Sequence, residues 1–134
     1  MSALGLRPNA ILACTPATDL TDKDGYGVVV SSVSGVPTAT ISASATTKIS
    51  GIILQGANTT PACSCVVAVA GYHGTLRVKL GGTVSTGDYI QQNTDGTFVT
   101  DAGSGSRVLV GVAFESGVSG DLIEASYFGP CPLS

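Results

Sequence analysis

The sequence predicts an all-β chain, a small barrel or sandwich built from two similar β-units, and three observations carry that prediction. No segment of the 134 residues sets apolar side chains at i, i+3, i+4 and i+7 over three turns, and 18 glycines leave little room for a stable helix interior. Short runs rich in β-branched residues, separated by glycine-rich turns, recur at intervals of roughly 8 to 12 residues. The chain also repeats itself. Setting Gly111 on Gly51 lays Leu109-Val-Gly-Val-Ala-Phe114 over Ile49-Ser-Gly-Ile-Ile-Leu54, and the strand from Leu122 to Ser126 over the strand from Val66 to Ala70. From Gly51 to Val66 is 15 residues and from Gly111 to Leu122 is 11, a difference that one loop absorbs.

In chain order, residues 1–18 carry Pro8 and Pro16 and no period, which predicts an extended N-terminal arm. Val28 to Val33 is a β-branched strand closed by the turn Ser34-Gly-Val-Pro37. Thr38 to Thr47 alternates with period two. Ile49 to Leu54 and Cys65 to Ala70 are continuous apolar runs, the pattern of strands buried on both faces. In Gly74 to Leu80 the side chains of Leu76, Val78 and Leu80 share one face, and Arg77 and Lys79 the other. Asp88 to Gln92 and Thr97 to Thr100 flank Asn93-Thr-Asp-Gly96, a strong hairpin signal. Val108 to Phe114 and Leu122 to Phe128 complete the second unit. The prolines at 130 and 132 lack the ladder donor and predict a tail outside the sheet. The expected organisation is therefore an arm over 1–18, one β domain over 19–128 with a pseudo-repeat of 25–70 and 76–128, and a tail over 129–134.

Composition narrows the function. A net charge of −3 with six scattered Lys and Arg offers no basic patch, so no nucleic-acid partner is expected. No apolar run approaches the ~20 residues of a membrane span. The stretch between Lys48 and Arg77, although free of charge, is broken by Gln55, Asn58, Thr59, Thr60, Pro61 and Ser64. The first eight residues lack the features of a secretory signal, which predicts synthesis and retention in a cytoplasm. Charged residues make up only 11% of the chain, against about 25% in an average domain. Charge normally keeps a free monomer soluble, so much of this surface is expected to lie against a partner.

Few side chains offer chemistry. Cys63-x-Cys65 is a poor half-site for zinc, which favours C-x-x-C pairs. Cys14 and Cys131 offer a terminal clip in an oxidising medium, but small buried hydrophobes are the favoured reading of all four cysteines. His73, between Tyr72 and Gly74, has no evident nucleophile or carboxylate in sequence and reads as a solvated turn residue. Asp19, Asp22 and Asp24 lack the twelfth-position glutamate of a calcium loop. Asp88 and Asp121 occupy matching places, Thr86-Gly-Asp88 and Ser119-Gly-Asp121, where a carboxylate accepts backbone N–H bonds and fixes the start of a strand. No catalytic residue, cofactor site or metal site is assigned, and no enzymatic activity is expected.

From Lys79-Leu-Gly-Gly-Thr-Val-Ser-Thr-Gly-Asp-Tyr-Ile90 through Val110-Gly-Val-Ala-Phe-Glu115 to Gly120-Asp-Leu-Ile-Glu124, the chain resembles the capsid cement, or head decoration, proteins of tailed bacteriophages. Thr18-Asp-Leu-Thr-Asp-Lys-Asp-Gly-Tyr26 looks like that family's lead-in to its opening strand, and Ile49 to Leu54 like its first "G-I/V-L" strand. The resemblance spans residues 17 to 128. It implies a small virion protein, commonly a homotrimer, made in the bacterial cytoplasm. Such a protein binds the outside of a shell of major capsid protein and reinforces it without catalysis or cofactor. The candidate capsid contacts are arm residues Leu4, Leu6, Arg7, Pro8, Ile11 and Leu12. The four cysteines, the uncharged stretch from Ile49 to Leu76 and the proline-bearing tail depart from the family pattern. The rival reading is a lipoyl- or biotinyl-type carrier or another small β binding module, because Val84-Ser-Thr-Gly-Asp-Tyr-Ile90 imitates a carrier strand. The hairpin tip at 93–96 lacks the lysine a carrier modifies.

Overall fold

The structure is a computed structural model that describes residues 10–60, 63–72 and 74–134. All ten of its regular elements are strands: β1 Ile11–Pro16, β2 Gly27–Val33, β3 Val36–Ile41, β4 Gly51–Gln55, β5 Cys65–Val69, β6 Thr75–Lys79, β7 Tyr89–Gln92, β8 Phe98–Thr100, β9 Arg107–Ala113 and β10 Leu122–Leu133. The predicted all-β class holds. No helix among the described residues is long and apolar enough to cross a membrane.

The first five strands close into a barrel in the order β1-β3-β2-β4-β5, and the last five form a sheet in the order β6-β10-β9-β7-β8. A parallel bridge between Leu80 and Phe98 draws the ends of the second sheet together. In each half the first strand runs antiparallel to the fifth, the fifth to the fourth, the fourth to the second and the second to the third, while the third meets the first in parallel. Gly51 faces Val69 and Gly111 faces Tyr127. Val66 therefore corresponds to Glu124 and not to Leu122, two residues from the sequence alignment. A shift of two preserves which side chains face inward, so the alternation could not reveal it.

Both repeat glycines are dictated by close approach. A Cβ on Gly51 would lie 2.3 Å from the Ala68 carbonyl oxygen, and one on Gly111 would lie 1.7 Å from that of Ser126. Neighbouring isoleucines on β4 face opposite cores. Ile53 joins Val28, Ala39 and Val67 inside the first barrel, whereas Ile52 and Ala68 join Leu80, Ile90, Phe98 and Val110 of the second. The β4–β5 wall thus serves both halves, as their continuous apolar runs suggest. Gly27 lies against the same junction, where a Cβ would meet Phe98 at 3.1 Å.

A buried amide ties the halves together. Gln92 accepts the Ile49 N–H through Oε1 at 2.9 Å, and its Nε2 donates to the carbonyls of Thr47 at 2.8 Å and Ser44 at 3.1 Å. Those partners lie where the predicted strand Thr38 to Thr47 has already ended. β3 stops at Ile41, and the Ser44 hydroxyl accepts the N–H groups of Thr46 and Thr47, bending the chain out of the sheet.

Two expectations at the chain ends need correction. Within the expected arm, residues 11–16 form β1, a closing stave of the first barrel paired with β5 along Ile11 to Cys14 and with β3 at Thr15 and Pro16. Leu12, Cys14 and Pro16 turn inward on alternate positions, a period concealed because the outward Ile11 and Ala13 are also apolar. The expected tail likewise belongs to β10, with Cys131, Pro132 and Leu133 opposite Leu109, Val108 and Arg107. A bulge separates Tyr127 from Cys131, and Gly129 adopts φ +90°. Beyond Ser126 no residue of β6 pairs with β10, so one flank is an edge where proline's missing donor costs little.

Candidate interaction surface

The acidic residues singled out in sequence work as turn anchors. Asp88 Oδ2 accepts the Ser85 N–H at 3.0 Å and Asp121 Oδ2 the Val118 N–H at 2.9 Å, so the paired sites hold matching turns. These turns touch through reciprocal backbone bonds between Val84 and Gly117 at 2.9 Å. Asp19 accepts the N–H and hydroxyl of Thr21, and Asp24 accepts the Gly56 N–H at 2.7 Å. Among the described residues no three of His, Cys, Asp and Glu gather as metal ligands would. His73 lies outside the described residues.

Two carboxylates in the second half are held ionised. The Thr97 hydroxyl keeps Asp95 below the ordinary aspartate value, and the Gly103 N–H, followed by the Arg107 guanidinium, does so for Asp101. Because folding lowers these pKa values, the folded chain binds fewer protons than the unfolded one. Their stabilisation is present above the unfolded value of about 3.9 and is lost as pH falls through the lower folded value. Calorimetric melting temperatures are expected to be level from about pH 7 to 5 and to drop below about pH 4. A level profile down to pH 3 would contradict the assignment.

The cysteines divide into two classes. Cys14 and Cys65 are buried core thiols, as favoured from sequence, whereas Cys63 and Cys131 are exposed. Burial pushes the Cys14 thiol up to about 11. Tyr127, inside the second half, has its phenol pushed up to about 12 by the same cause, and its hydroxyl lacks a hydrogen-bond partner.

Of the candidate contacts, Leu4, Leu6, Arg7 and Pro8 lie outside the described residues. Ile11 is exposed on the outer side of β1, while Leu12 turns inward and lines a groove of about 290 Å³ with Val30, Ser31, Ser32, Gly35 and Pro37. The β2–β3 hairpin projects beside this groove. Its turn places Ser34 at φ +52° and Gly35 at φ +79°, and its tip exposes Val33 and Val36.

The outer face of the second half, which sequence reasoning missed, carries exposed aromatic side chains. In the first half, the row Gly27–Ile52–Ala68 across β2, β4 and β5 is the face that receives the second half. The corresponding row is Tyr89–Val112–Ser126 across β7, β9 and β10, where Tyr89 is exposed and Val112 and Ser126 are half-buried. Tyr89 is 55% exposed and Phe128 48%, and their rings lie 6.5 Å apart. Terminal repeats ordinarily present a polar outer face, and two open aromatic rings in that place make this face the candidate contact surface. The repeat alignment sets Val112 over Ile52 without marking a surface, and Tyr89 and Phe128, which are not adjacent in sequence, gave no joint signal.

The hairpin tip at 93–96 packs against the first barrel. The Gly96 carbonyl accepts the Gly27 N–H at 2.8 Å, and a Cβ on Gly96 would meet the Ile41 side chain at 2.6 Å. A carrier needs that tip free to swing, and here it is docked.

No protein-family model matches the chain, and a search of curated proteins gives no significant match. Among solved structures, the chain is similar to the N base of head fiber gp8.5 in bacteriophage phi29, with a TM-score of 0.67 and 14% sequence identity. The match covers 90% of this chain and 96% of the phage one, so the barrel and the five-stranded sheet together fall within a fold already known from a phage head fiber.

Proposed function

We propose that this chain is a structural protein of a tailed-phage head, bound to the outside of the capsid shell as a homotrimer and stabilising it as a cement protein. It acts by binding, without catalysis or cofactor. The observation that carries the reading is the fold, a barrel beside a five-stranded sheet, in common with the base of a phage head fiber over nearly the whole of both chains. The open Tyr89–Val112–Phe128 face supports it, as does the low charge of the chain. Together they describe a surface made to be covered. A trimer gains from multivalency. Once one subunit is seated, the others meet the shell at an effective concentration in the millimolar range, so modest contacts sum to durable attachment.

The test mixes purified protein with expanded shells that lack it, and measures co-sedimentation and survival of the shells on heating. Saturable binding and a raised disruption temperature are expected. The double variant Tyr89→Ala, Phe128→Ala should weaken binding by about ten- to a hundredfold, the loss typical of exposed aromatic anchors. Its melting temperature should stay near that of the parent, because neither ring lies in a core. Removal of residues 1–9, which leaves β1 intact, measures how much the candidates Leu4, Leu6, Arg7 and Pro8 contribute. Absence of binding to any shell would refute the proposal, and full binding by the double variant would move the contact off this face.

A further inference from the structure

We propose that Cys14 and Cys65 form a latent cross-strand disulfide that fastens β1 into the first barrel, and that a low-molecular-weight disulfide reaches them through Cys63. The cross-strand pairing of Cys14 with Cys65 and the exposed place of Cys63 two residues away carry the inference, independently of the role at the phage head.

Cys14 and Cys65 are directly opposed in the antiparallel β1–β5 pair and both point into the first core. Opposed residues of such a pair have Cα atoms about 4.5–5.5 Å apart, inside the ~4.4–6.8 Å window of disulfides. The Cys65 thiol already donates to the Cys14 carbonyl at 3.2 Å, which brings its sulfur across to the partner strand. A covalent link also has something to secure. β1 pairs with β3 at Thr15–Thr38 and Pro16–Ala39 and with β5 along Ile11 to Cys14, so the β5 side carries more of its ladder.

Both thiols are sealed from solvent, at 1% and 0% exposure, and burial disfavours their thiolates. Direct attack by a dissolved oxidant is therefore slow. Cys63 removes the obstacle. It is exposed, precedes Cys65 by two residues, and lines a groove of about 190 Å³ with Thr15, Pro16, Thr59 and Ser64 at the barrel end.

The exchange balances. The Cys63 thiolate attacks one sulfur of the small disulfide, forms a mixed disulfide and releases the first small thiol. Cys65, losing its proton, attacks the Cys63 sulfur and releases the second. Cys14 then attacks Cys65, and Cys63 leaves as a thiolate that takes up the proton lost by Cys14. Two protein thiols are oxidised to one disulfide, and one small disulfide is reduced to two thiols.

To test this, the reduced full-length protein is incubated with oxidised glutathione, quenched by alkylation and mapped by mass spectrometry without reduction. The expected product has lost two hydrogens, links the peptides of Cys14 and Cys65, and carries alkyl groups on Cys63 and Cys131. It should melt higher than the reduced protein. Cys63→Ser should give the same link at least about tenfold more slowly, because the exposed thiol that opens the exchange is gone. Cys131→Ser should change neither product nor rate. A folded protein whose Cys14 and Cys65 stay unlinked, or a terminal Cys63–Cys65 or intermolecular Cys131 product, overturns the assignment. An unchanged rate in Cys63→Ser overturns the route.

Discussion

Gly111→Ala is expected to cost about 3–5 kcal/mol and to leave little folded protein at 37 °C, because its methyl group has no space and its backbone cannot retreat. The added Cβ would lie 1.7 Å from the Ser126 carbonyl oxygen and 2.8 Å from its carbon. Relief requires β9 and β10 to part at the centre of their pairing, where Tyr127 faces Gly111 itself. Gly51→Ala, whose Cβ would meet the Ala68 oxygen at 2.3 Å, should show the same defect to a lesser degree. Gly87→Ala separates the causes. Gly87 has φ +92° and open space around it, so backbone strain alone acts, at about 1 kcal/mol. Urea midpoints of the three variants should rank in that order. Equal midpoints for Gly111→Ala and Gly87→Ala would refute the close-approach account.

Gln92→Leu is expected to destabilise by about 3 kcal/mol even though it places an apolar residue in an apolar surrounding. The leucine fills much of the volume but leaves the Ile49 N–H and the Ser44 and Thr47 carbonyls without the amide that satisfies them. A buried backbone group deprived of its partner forfeits about 1–3 kcal/mol, and of the three the Ile49 N–H is the buried one, the carbonyls belonging to half-buried Ser44 and exposed Thr47. Denaturant unfolding gives the magnitude. Hydrogen exchange locates it: the Ile49 amide should lose protection in the variant while amides at the centre of β9 keep theirs. A variant as stable as the parent would show that the loop satisfies itself by other means.

How much of this was legible in sequence depended on how far away each partner lies. The β6 alternation of Leu76, Val78 and Leu80 against Arg77, the hairpin signal at 93–96 and the turn carboxylates Asp88 and Asp121 are local, and each stands where the residues predict. The apolar runs of β4 and β5 announced burial on both faces, though not what covers the second face. Gln92 was opaque, since its partners are 43 to 48 positions away in the chain and a lone polar residue in a strand carries no mark of them. Prolines misled at both ends. Pro16 was read as a reason against a strand and instead ends one, and Pro132 stands on an edge that exists only because β6 is shorter than β10. The aromatic face was hidden for a related reason: Tyr89 and Phe128 become neighbours only once β7, β9 and β10 lie side by side.

The parallel contact between β1 and β3 also fixes a timetable for the nascent chain. Strand β1 leaves the ribosome first, yet the residues that hold it, Thr38 and Ala39 on one side and Cys65 to Ala68 on the other, are synthesised later. The first ring is thus completed by its oldest piece, whose β5 partners follow more than fifty residues later, and such distant closures are slow steps of folding. Translation pauses or chaperones acting in that interval would bear on the yield of the protein.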